Sequence, residues 1–374
     1  MEHAVIAGYC RSPFDFAHKG ALAGVRPDTL AAKVIRGLVR NSGVNPTRIE
    51  DLLCGCAFPE GEQGLNMARM LVFLSRLPDC IPGATVNRWC GSSMQTLHMA
   101  AGSIAMGAGE VFICAGVESM SRIPMMGYNP LPNAKLYKEN ARIYMNMGET
   151  AEVVAEHYNI SRDAQEAFAV SSQQKALQAQ QQGLLADEII PLEELQQDGC
   201  IRGDTSTEGL AGLKPAFVSD GSVTAGTSSP LTDGAAAVLV CSESYARQHN
   251  LPMLARIKTV AVAGCAPEVM GMGPVAASQK ALQRAGLNSS DLDIVELNEA
   301  FASQALACIR ELELDPAKIN IHGGAIALGH PLGATGARIV GKAASLLQQN
   351  GGQYALATQC IGGGQGIATL LEAI

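Results

Sequence analysis

Three side chains in this sequence pair a reactive group with a local backbone suited to chemistry: Cys90, His330 and Cys360. Cys90 stands immediately before Gly91-Ser92-Ser93, where an amphipathic helical pattern begins. Unpaired backbone N–H groups and the positive end of a helix dipole favour a thiolate at such a place, so a thiol of lowered pKa and nucleophilic character is predicted. His330 lies in Gly323-Gly-Ala-Ile-Ala-Leu-Gly-His-Pro-Leu-Gly-Ala-Thr-Gly336, a stretch with five glycines around one imidazole. A histidine beside a thiol takes its proton, and when neutral it donates Nε2–H to a developing oxyanion. Cys360 follows an apolar run and precedes Ile361-Gly-Gly-Gly-Gln-Gly366, so its thiol emerges at a strand end beside flexible backbone, placed to act as a general acid or base.

The elements that must position these groups alternate in type. Short apolar runs at 4–8, 49–57 and 110–115 read as strands, and the patterns at 29–41 and 91–106 read as helices, which implies an α/β sheet with parallel members. In the second helix Met94, Leu97, Ala101, Ile104 and Ala105 recur at three- and four-residue steps, marking a core face that stops at Gly107. The second half resembles the first in outline. The helix, glycine turn and strand beginning at Val34 reappear from Ser278, and the loop carrying Cys90 corresponds to the loop carrying His330, each leading into a helix and then a strand. Two similar halves packed together bring equivalent loops to one face. Between the halves the composition changes: rich in Met, Tyr, Asn and Pro from Ser121 to Met147, helical from Thr150 to Gly183, and without period from Pro191 to Pro215. The chain therefore divides into a core half at 1–120 completed by 221–250, an inserted loop domain at 121–220, and a second core half at 251–374. Gln173–Gln182 reads as a polar helix face.

Composition narrows the function classes. A net charge of −8 and the lack of any dense Lys/Arg run argue against nucleic acid as a partner. The eleven cysteines are an odd number, mostly in apolar runs, which favours a reducing compartment over a disulfide framework. No segment reaches the roughly 20 apolar residues of a membrane span and no signal-like start is present, so a soluble, cytoplasmic protein is expected. Cys54-Gly-Cys56 fits strand alternation, and with no second ligand pair at finger spacing no metal is expected.

Together, Val86-Asn-Arg-Trp-Cys-Gly-Ser-Ser93, Asn298-Glu-Ala-Phe-Ala302, Gly323 to Pro331 and Cys360 to Gly366 resemble the four active-site loops of the thiolases, in that family's order. Ala115-Gly-Val-Glu-Ser-Met-Ser121 and Thr224-Ala-Gly-Thr-Ser-Ser229 extend the likeness along nearly the whole chain. The resemblance implies a thiolase-like α/β fold with two βαβαβαββ core halves and an inserted loop domain. It further implies that Cys90 takes the acyl group, that His330 activates it, and that Cys360 moves the proton of the acetyl-CoA carbon. The enolate oxygen falls to His330 and a water held by Asn298, and the tetrahedral oxyanion to the N–H groups of Cys90 and Gly362. Coenzyme A is implied as cosubstrate, with no other cofactor. Contacts to it and to the acyl chain carry over to Arg202, Phe217, Ala225, Ser229, Met147 and Phe301, with Phe217 and Met147 along the pantetheine and Arg202 at the nucleotide end. A homodimer or dimer of dimers is implied, as is association with a multifunctional enzyme of fatty-acid β-oxidation.

Two departures refine the resemblance. Asn146 stands before Met147-Gly148 where short-chain biosynthetic thiolases have His, and the 121–147 loop is compact, both leaning towards the degradative 3-ketoacyl-CoA class, with an acyl tunnel past Met125, Met126 and Met147. His322 stands where many thiolases have Asn and is read as structural. An acetoacetyl-CoA thiolase is the alternative within the family. A 3-ketoacyl synthase is disfavoured by Cys360 and Asn298-Glu-Ala-Phe301, and a non-catalytic lipid carrier by the intact set of Cys90, Asn298, His330 and Cys360. The remaining histidines, His3, His18, His98, His157 and His249, have ordinary structural readings.

Overall fold

Strand β1 (Ala4–Arg11) shows how the apolar runs are used. Val5 and Ala7 face one core while Ala4 and Ile6 face another, so the strand is buried on both sides. The computed structural model describes residues 2–374. After β1 the chain forms β2 (Asp15–Phe16), α1 (Pro27–Ser42), β3 (Asp51–Gly55), α2 (Met67–Leu74), β4 (Gly83–Val86), α3 (Ser92–Ala105) and β5 (Val111–Ser119). Four helices follow, α4 (Ala134–Glu139), α5 (Met147–His157), α6 (Arg162–Gln181) and α7 (Thr207–Ala211), before the chain rejoins the sheet as β6 (Thr232–Ser242). The remainder is α8 (Glu243–Gln248), β7 (Ala255–Gly264), α9 (Gly273–Ala285), β8 (Ile294–Leu297), α10 (Ala302–Glu311), α11 (Ala325–Leu328), α12 (Leu332–Asn350), β9 (Tyr354–Ile361) and β10 (Gln365–Glu372).

The strands run β4-β3-β5-β6-β1-β7-β10-β9-β8, with β2 on β6. The joint is the short antiparallel pairing of β1 with β7, where Val5 faces Arg256 and Ile6 faces Ala255. Outward from it the two directions match. β6 and β10 are antiparallel to their neighbours, β3 pairs in parallel with β5, and β8 pairs in parallel with β9. Where β4 flanks β3, a parallel bridge from Ile319 flanks Val295 of β8. The repeat extends to local detail: α1 stops at Gly43 and α9 at Gly286, each with φ of 70°, and an Asn-capped turn at Asn45 or Asn288 then leads to β3 or β8.

Alternation along the strands creates three cores. One lies between the first half-sheet and α1 and α2, with Leu52, Ile113 and Leu239 on the strands and Leu30, Ile35 and Leu71 on the helices. A second lies between the outer face of the other half-sheet and α9 and α10. The third is central, where Leu53, Cys114 and Val238 from one half and Ile294, Ala357 and Ile367 from the other close on α3 and α12. Both central helices are hemmed in by sheet. Glycine sets how closely they lie: a Cβ on Gly336 of α12 would stand 2.3 Å from the backbone nitrogen of Met94 in α3, and one on Gly116 of β5 would stand 2.2 Å from the carbonyl oxygen of Gly333.

Helix α12 is buried even at its charged positions, so each of these needs a partner. Arg338 pairs with Glu296 of β8 at 2.8 Å, and Lys342 pairs with Glu188 at 2.9 Å. Glu188 also meets Arg11 at 2.7 Å, and Arg11 meets Asp198 at 2.6 Å, so the segment before β6 is held to β1 and α12 by buried charge.

Two expectations from the sequence are corrected. The helical stretch from Thr150 to Gly183 is two helices, broken at Asn159, whose φ of 52° leaves the helical region, and restarted at Ser161, whose side chain caps α6. Gln173 does not belong to a solvated face: it is buried, donating to the Ile326 carbonyl at 3.2 Å and accepting from the Arg202 amide at 2.8 Å. His98 is the ordinary core histidine expected, bonded to Thr369 at 2.9 Å.

The close approach of α3 and α12 yields a stability test. Gly336→Ala should destabilise the protein by about 1–3 kcal/mol through overpacking against backbone. Gly102→Ala, on the exposed face of α3 with nothing within 4 Å of an added Cβ, should instead be neutral or stabilise by up to about 1 kcal/mol. Thermal melts of both variants check this, and equal melting temperatures would contradict the packing described.

Candidate active site

Cys90 occupies a single helical turn, Trp89–Gly91, leading into α3. Its predecessor Trp89 has φ of 42°, a left-handed value that costs roughly 1–3 kcal/mol for a non-glycine residue unless its surroundings enforce it. They do. The Trp89 amide donates to Asn87 Oδ1 at 2.8 Å, the Ser92 hydroxyl donates to the Trp89 carbonyl at 2.5 Å, and Asn87 donates to the Ala57 carbonyl at 3.0 Å. The indole lies against Gly363, where a Cβ would come within 2.6 Å of the ring. Arg88 completes the fastening, donating to Gln95 of α3 and Gln365 of β10, both at 2.9 Å.

Cys90 keeps some exposure and, like Phe58, packs against the cluster of Ala17, Ala57, Met120 and Leu332. Burial pushes its pKa up to about 11 and the charge of Glu118 adds to this, while the N–H groups of Gly362 and of Cys90 itself pull the other way. The expected low-pKa thiolate is therefore corrected. The helix-start amides are in place, but loss of hydration outweighs them, and the free protein holds a thiol.

His330 is buried in the loop between α11 and α12. Its amide donates to Thr232 Oγ1 at 3.0 Å, and its Nδ1 lies 2.6 Å from Thr335 Oγ1. The Thr335 hydroxyl also reaches the Pro331 carbonyl at 3.2 Å, and with its proton there Nδ1 is the donor to Thr335 and Nε2 keeps its lone pair on the side of Asn298. Burial, with Arg338 adding to it, lowers the His330 pKa to about 3, so the ring is neutral. Asn298 Nδ2 approaches Nε2 at 3.5 Å, and the buried Asn298 Oδ1 has no partner among the described residues. Asn298 leaves the end of β8 with its amide on the Thr358 carbonyl at 3.0 Å, two residues before Cys360 on the adjoining strand.

The His330 loop is anchored by Glu299, a buried carboxylate that accepts from Ser172 at 2.6 Å, Asn320 at 2.8 Å and the Ile326 amide at 3.2 Å. Cys360, buried at the end of β9, packs with Met147, Met270, Ala300 and Phe301. Its pKa is raised well above the usual thiol range by burial and then by the neighbouring Cys90.

The residues expected to contact a ligand mostly gather here. Phe301 meets Phe217 edge-on with centroids 5.8 Å apart, and an added Cβ on Gly362 would be 3.4 Å from Met147 Sδ. Ser228 bridges Phe301 and the Ser229 amide donates to the Ala300 carbonyl at 2.9 Å, which brings the turn holding Ala225 beside the same aromatic pair. Arg202 stacks over Phe16 at 5.7 Å, with one buried guanidinium nitrogen unpartnered among the described residues. Met125 and Met126 are exposed. His322 stands beside the Lys342–Glu188 pair, and burial with the Lys342 charge lowers its pKa to about 4. Sequence reasoning missed Thr335, Glu299 and Glu118, which hold the reactive groups. Glu118 alone carried a signal, as a charge within the wholly buried β5.

The comparisons with known proteins agree with this arrangement. Residues 4–244 match the thiolase N-terminal domain family and residues 251–373 the thiolase C-terminal domain family. The chain is 45% identical over 389 residues to a 3-ketoacyl-CoA thiolase of Bacillus subtilis (strain 168), covering 100% of both proteins. It is 46% identical over 391 residues to a 3-ketoacyl-CoA thiolase of Shewanella denitrificans, again with 100% of both covered. The crystal structure of the Bacillus anthracis acetyl-CoA acetyltransferase superposes with a TM-score of 0.92 at 37% identity, covering 100% of this chain and 99% of that one. Human mitochondrial 3-ketoacyl-CoA thiolase in complex with CoA also gives 0.92, at 36% identity, covering 100% of this chain and 98% of that one.

A raised Cys90 pKa has a direct consequence for alkylation. Only the thiolate reacts with iodoacetamide, so the rate at Cys90 should climb with pH through 8, 9 and 10 towards the value of about 11. Peptide mapping after timed exposure measures it. A rate that levels off below pH 8 would show a thiolate already present and refute the burial argument.

Proposed function

Because this chain belongs to the thiolase family, we propose that it is a degradative 3-ketoacyl-CoA thiolase, an acetyl-CoA C-acyltransferase that cleaves a 3-ketoacyl-CoA with free coenzyme A. The observation that carries this reading is one neighbourhood: Asn298 Nδ2 stands 3.5 Å from His330 Nε2 while its backbone amide bonds the strand of Cys360, whose thiol pKa is raised by burial and then by the neighbouring Cys90. The 45–46% identity to proteins named 3-ketoacyl-CoA thiolase supports the degradative class. Asn146 supports it too, capping α5 through the Gly148 amide at 2.9 Å and so setting Met147 against Gly362.

In the proposed reaction His330 Nε2 takes the Cys90 proton as the sulfur attacks the 3-keto carbon. The alkoxide is held by the Cys90 and Gly362 amides, where one such donor is worth ~10²–10³ in rate. The bond between C2 and C3 then breaks. The departing acetyl-CoA enolate has its oxygen at His330 and at a water on Asn298, and Cys360 protonates its carbon. Coenzyme A next gives its thiol proton to the Cys360 thiolate and attacks the acyl group on Cys90, whose sulfur leaves and recovers its proton from His330. Neutral His330 suits the first of its duties, and the proton it gains on Nε2 serves the second. Coenzyme A is a substrate here and no further cofactor is assigned. Met147, Phe217 and Phe301 form the apolar wall for pantetheine and acyl chain, Ala225 and Ser229 its facing turn, and Arg202 the contact at the nucleotide end.

We place the protein in the cytoplasm as a homodimer of fatty-acid β-oxidation, divided into core halves 1–120 with 221–250 and 251–374 around an insert at 121–220. Dimerisation is supported by the edge strand β4 and the exposed Met70, Phe73 and Leu74 of α2. Further association with a multifunctional β-oxidation enzyme is part of the same proposal.

Two measurements test the reading. Cys360→Ala should abolish cleavage and condensation yet leave a slower exchange of label between coenzyme A and acyl-CoA, since the thiol proton of coenzyme A can pass to solvent whereas the carbon acid has only Cys360; equal loss of both reactions would remove Cys360 from its role. Each buried methylene is worth up to ~0.8 kcal/mol, so an eight-carbon 3-ketoacyl-CoA should exceed acetoacetyl-CoA in kcat/KM, by less than the additive limit once ordering costs are met. A steep optimum at four carbons would reassign the protein as an acetoacetyl-CoA thiolase.

A further inference from the structure

Glu118 is a lone carboxylate in a strand whose other eight residues offer it no charge partner, and it is fully buried. Every group around it donates. Its Oε2 accepts from the Ala57 amide at 2.8 Å and the Gly333 amide at 2.9 Å. Its Oε1 accepts from Gln63 Nε2 at 2.7 Å, the Phe58 amide at 3.3 Å and the Cys56 thiol at 3.7 Å. A protonated carboxyl would find no oxygen there to receive its proton, so this environment fits the carboxylate although burial raises its pKa. Gln63 cannot turn over to supply an acceptor, because its own oxygen already accepts from the Ser119 amide at 2.6 Å.

These donors belong to two structures that must keep register. Ala57 belongs to the floor on which Cys90 packs, with Phe58 on the same cluster, and Ala57 also accepts from Asn87, which holds Trp89 in its strained conformation. Gly333 lies in the first turn of the helix that follows His330, and its neighbour Leu332 belongs to the same cluster under Cys90. We propose that Glu118 is a positioning residue that locks the floor of the nucleophile to the start of the helix behind the base, so that Cys90 and His330 share one frame. The same negative charge, close to Cys90, helps keep the proton on sulfur until His330 takes it. The inference rests on the thiolase reading of Cys90. The other titratable groups around Glu118 and Cys90 are Cys54 and Cys56, on which the Glu118 charge also acts, Cys360 from β9, and His330 itself.

The test uses the full-length chain and two readouts that a merely structural role would move together or not at all. Glu118→Gln keeps size but removes the charge and turns an amide N–H₂ towards donors. Iodoacetamide alkylation of Cys90 at pH 8 should become about threefold to tenfold faster, because each unit of lowered pKa multiplies the thiolate fraction by about ten. Thiolysis kcat should fall about 10²-fold, the effect of misplacing reacting groups by roughly 1 Å, with KM for coenzyme A within about twofold. Glu118→Asp keeps the charge and loses the reach, so its alkylation profile should follow the wild type while kcat falls. An alkylation profile for Glu118→Gln superimposed on the wild type, a kcat within about threefold of it, or a loss of both readouts together would overturn the proposal. Should Glu118→Gln fail to fold, Glu118→Asp decides alone: wild-type kcat overturns, and lowered kcat with unchanged alkylation supports. A wild-type protein without thiolysis or Cys90 alkylation would instead remove the thiolase reading, whatever the variants did.

Discussion

The backbone contact between α3 and α12 is the constraint on which the rest depends. Each helix begins just after a residue of the proposed reaction, Cys90 for one and His330 for the other, so the separation of the helix starts sets the separation of the proposed nucleophile and base. Side chains at the crossing would hold the axes apart. Gly336 against the Met94 backbone and the Ser93 hydroxyl accepting from the Ala337 amide at 2.8 Å bring the two helices together, and Gly116 of β5 lets the start of α12 close on the sheet in the same way. Helices in ordinary contact lie 8–10 Å apart, and small residues at the crossing allow the low end of that range.

Placing α12 between two half-sheets has an electrostatic cost. Its two buried cations are met by Glu296 and Glu188, and the acids respond in opposite directions. Burial pushes Glu296 up to about 7 despite Arg338. Burial would also raise Glu188, but Lys342 and Arg11 together draw it down to about 2. Buried pairs of this kind are a weak source of stability compared with apolar packing, and they matter more for the register they impose. Here the register joins the segment before β6 to the helix behind His330. The Arg338 charge also adds to burial in keeping His330 neutral, so a structural ion pair reaches the reacting atoms through the field it creates.

Much of this was legible in the sequence where backbone chemistry and period carried it. The helix, glycine turn and strand after Val34 and after Ser278 are true equivalents, ending at Gly43 and Gly286 in the same left-handed conformation. The pairing of the Cys90 and His330 loops followed from that repeat. What depends on three-dimensional burial was not legible. A cysteine at a helix start reads as a thiolate until its lost hydration is weighed, and Gln173 reads as a surface residue until α6 is seen lying on the Ile326 loop. Thr335 acts through a hydroxyl that resembles any other, and Glu118, though marked as a charge in the buried β5, acts on residues distant in the chain, so neither role could be read from residue type.

The account's central claim is that Cys90 carries the acyl group between the two halves of the reaction, and intact-protein and peptide mass spectrometry tests it most directly. Incubation with an eight-carbon 3-ketoacyl-CoA and no free coenzyme A should leave a six-carbon acyl group on the Cys90 peptide and release acetyl-CoA, and added coenzyme A should remove the adduct. An unmodified Cys90 while acetyl-CoA is being released, or an adduct confined to another cysteine, would contradict the account.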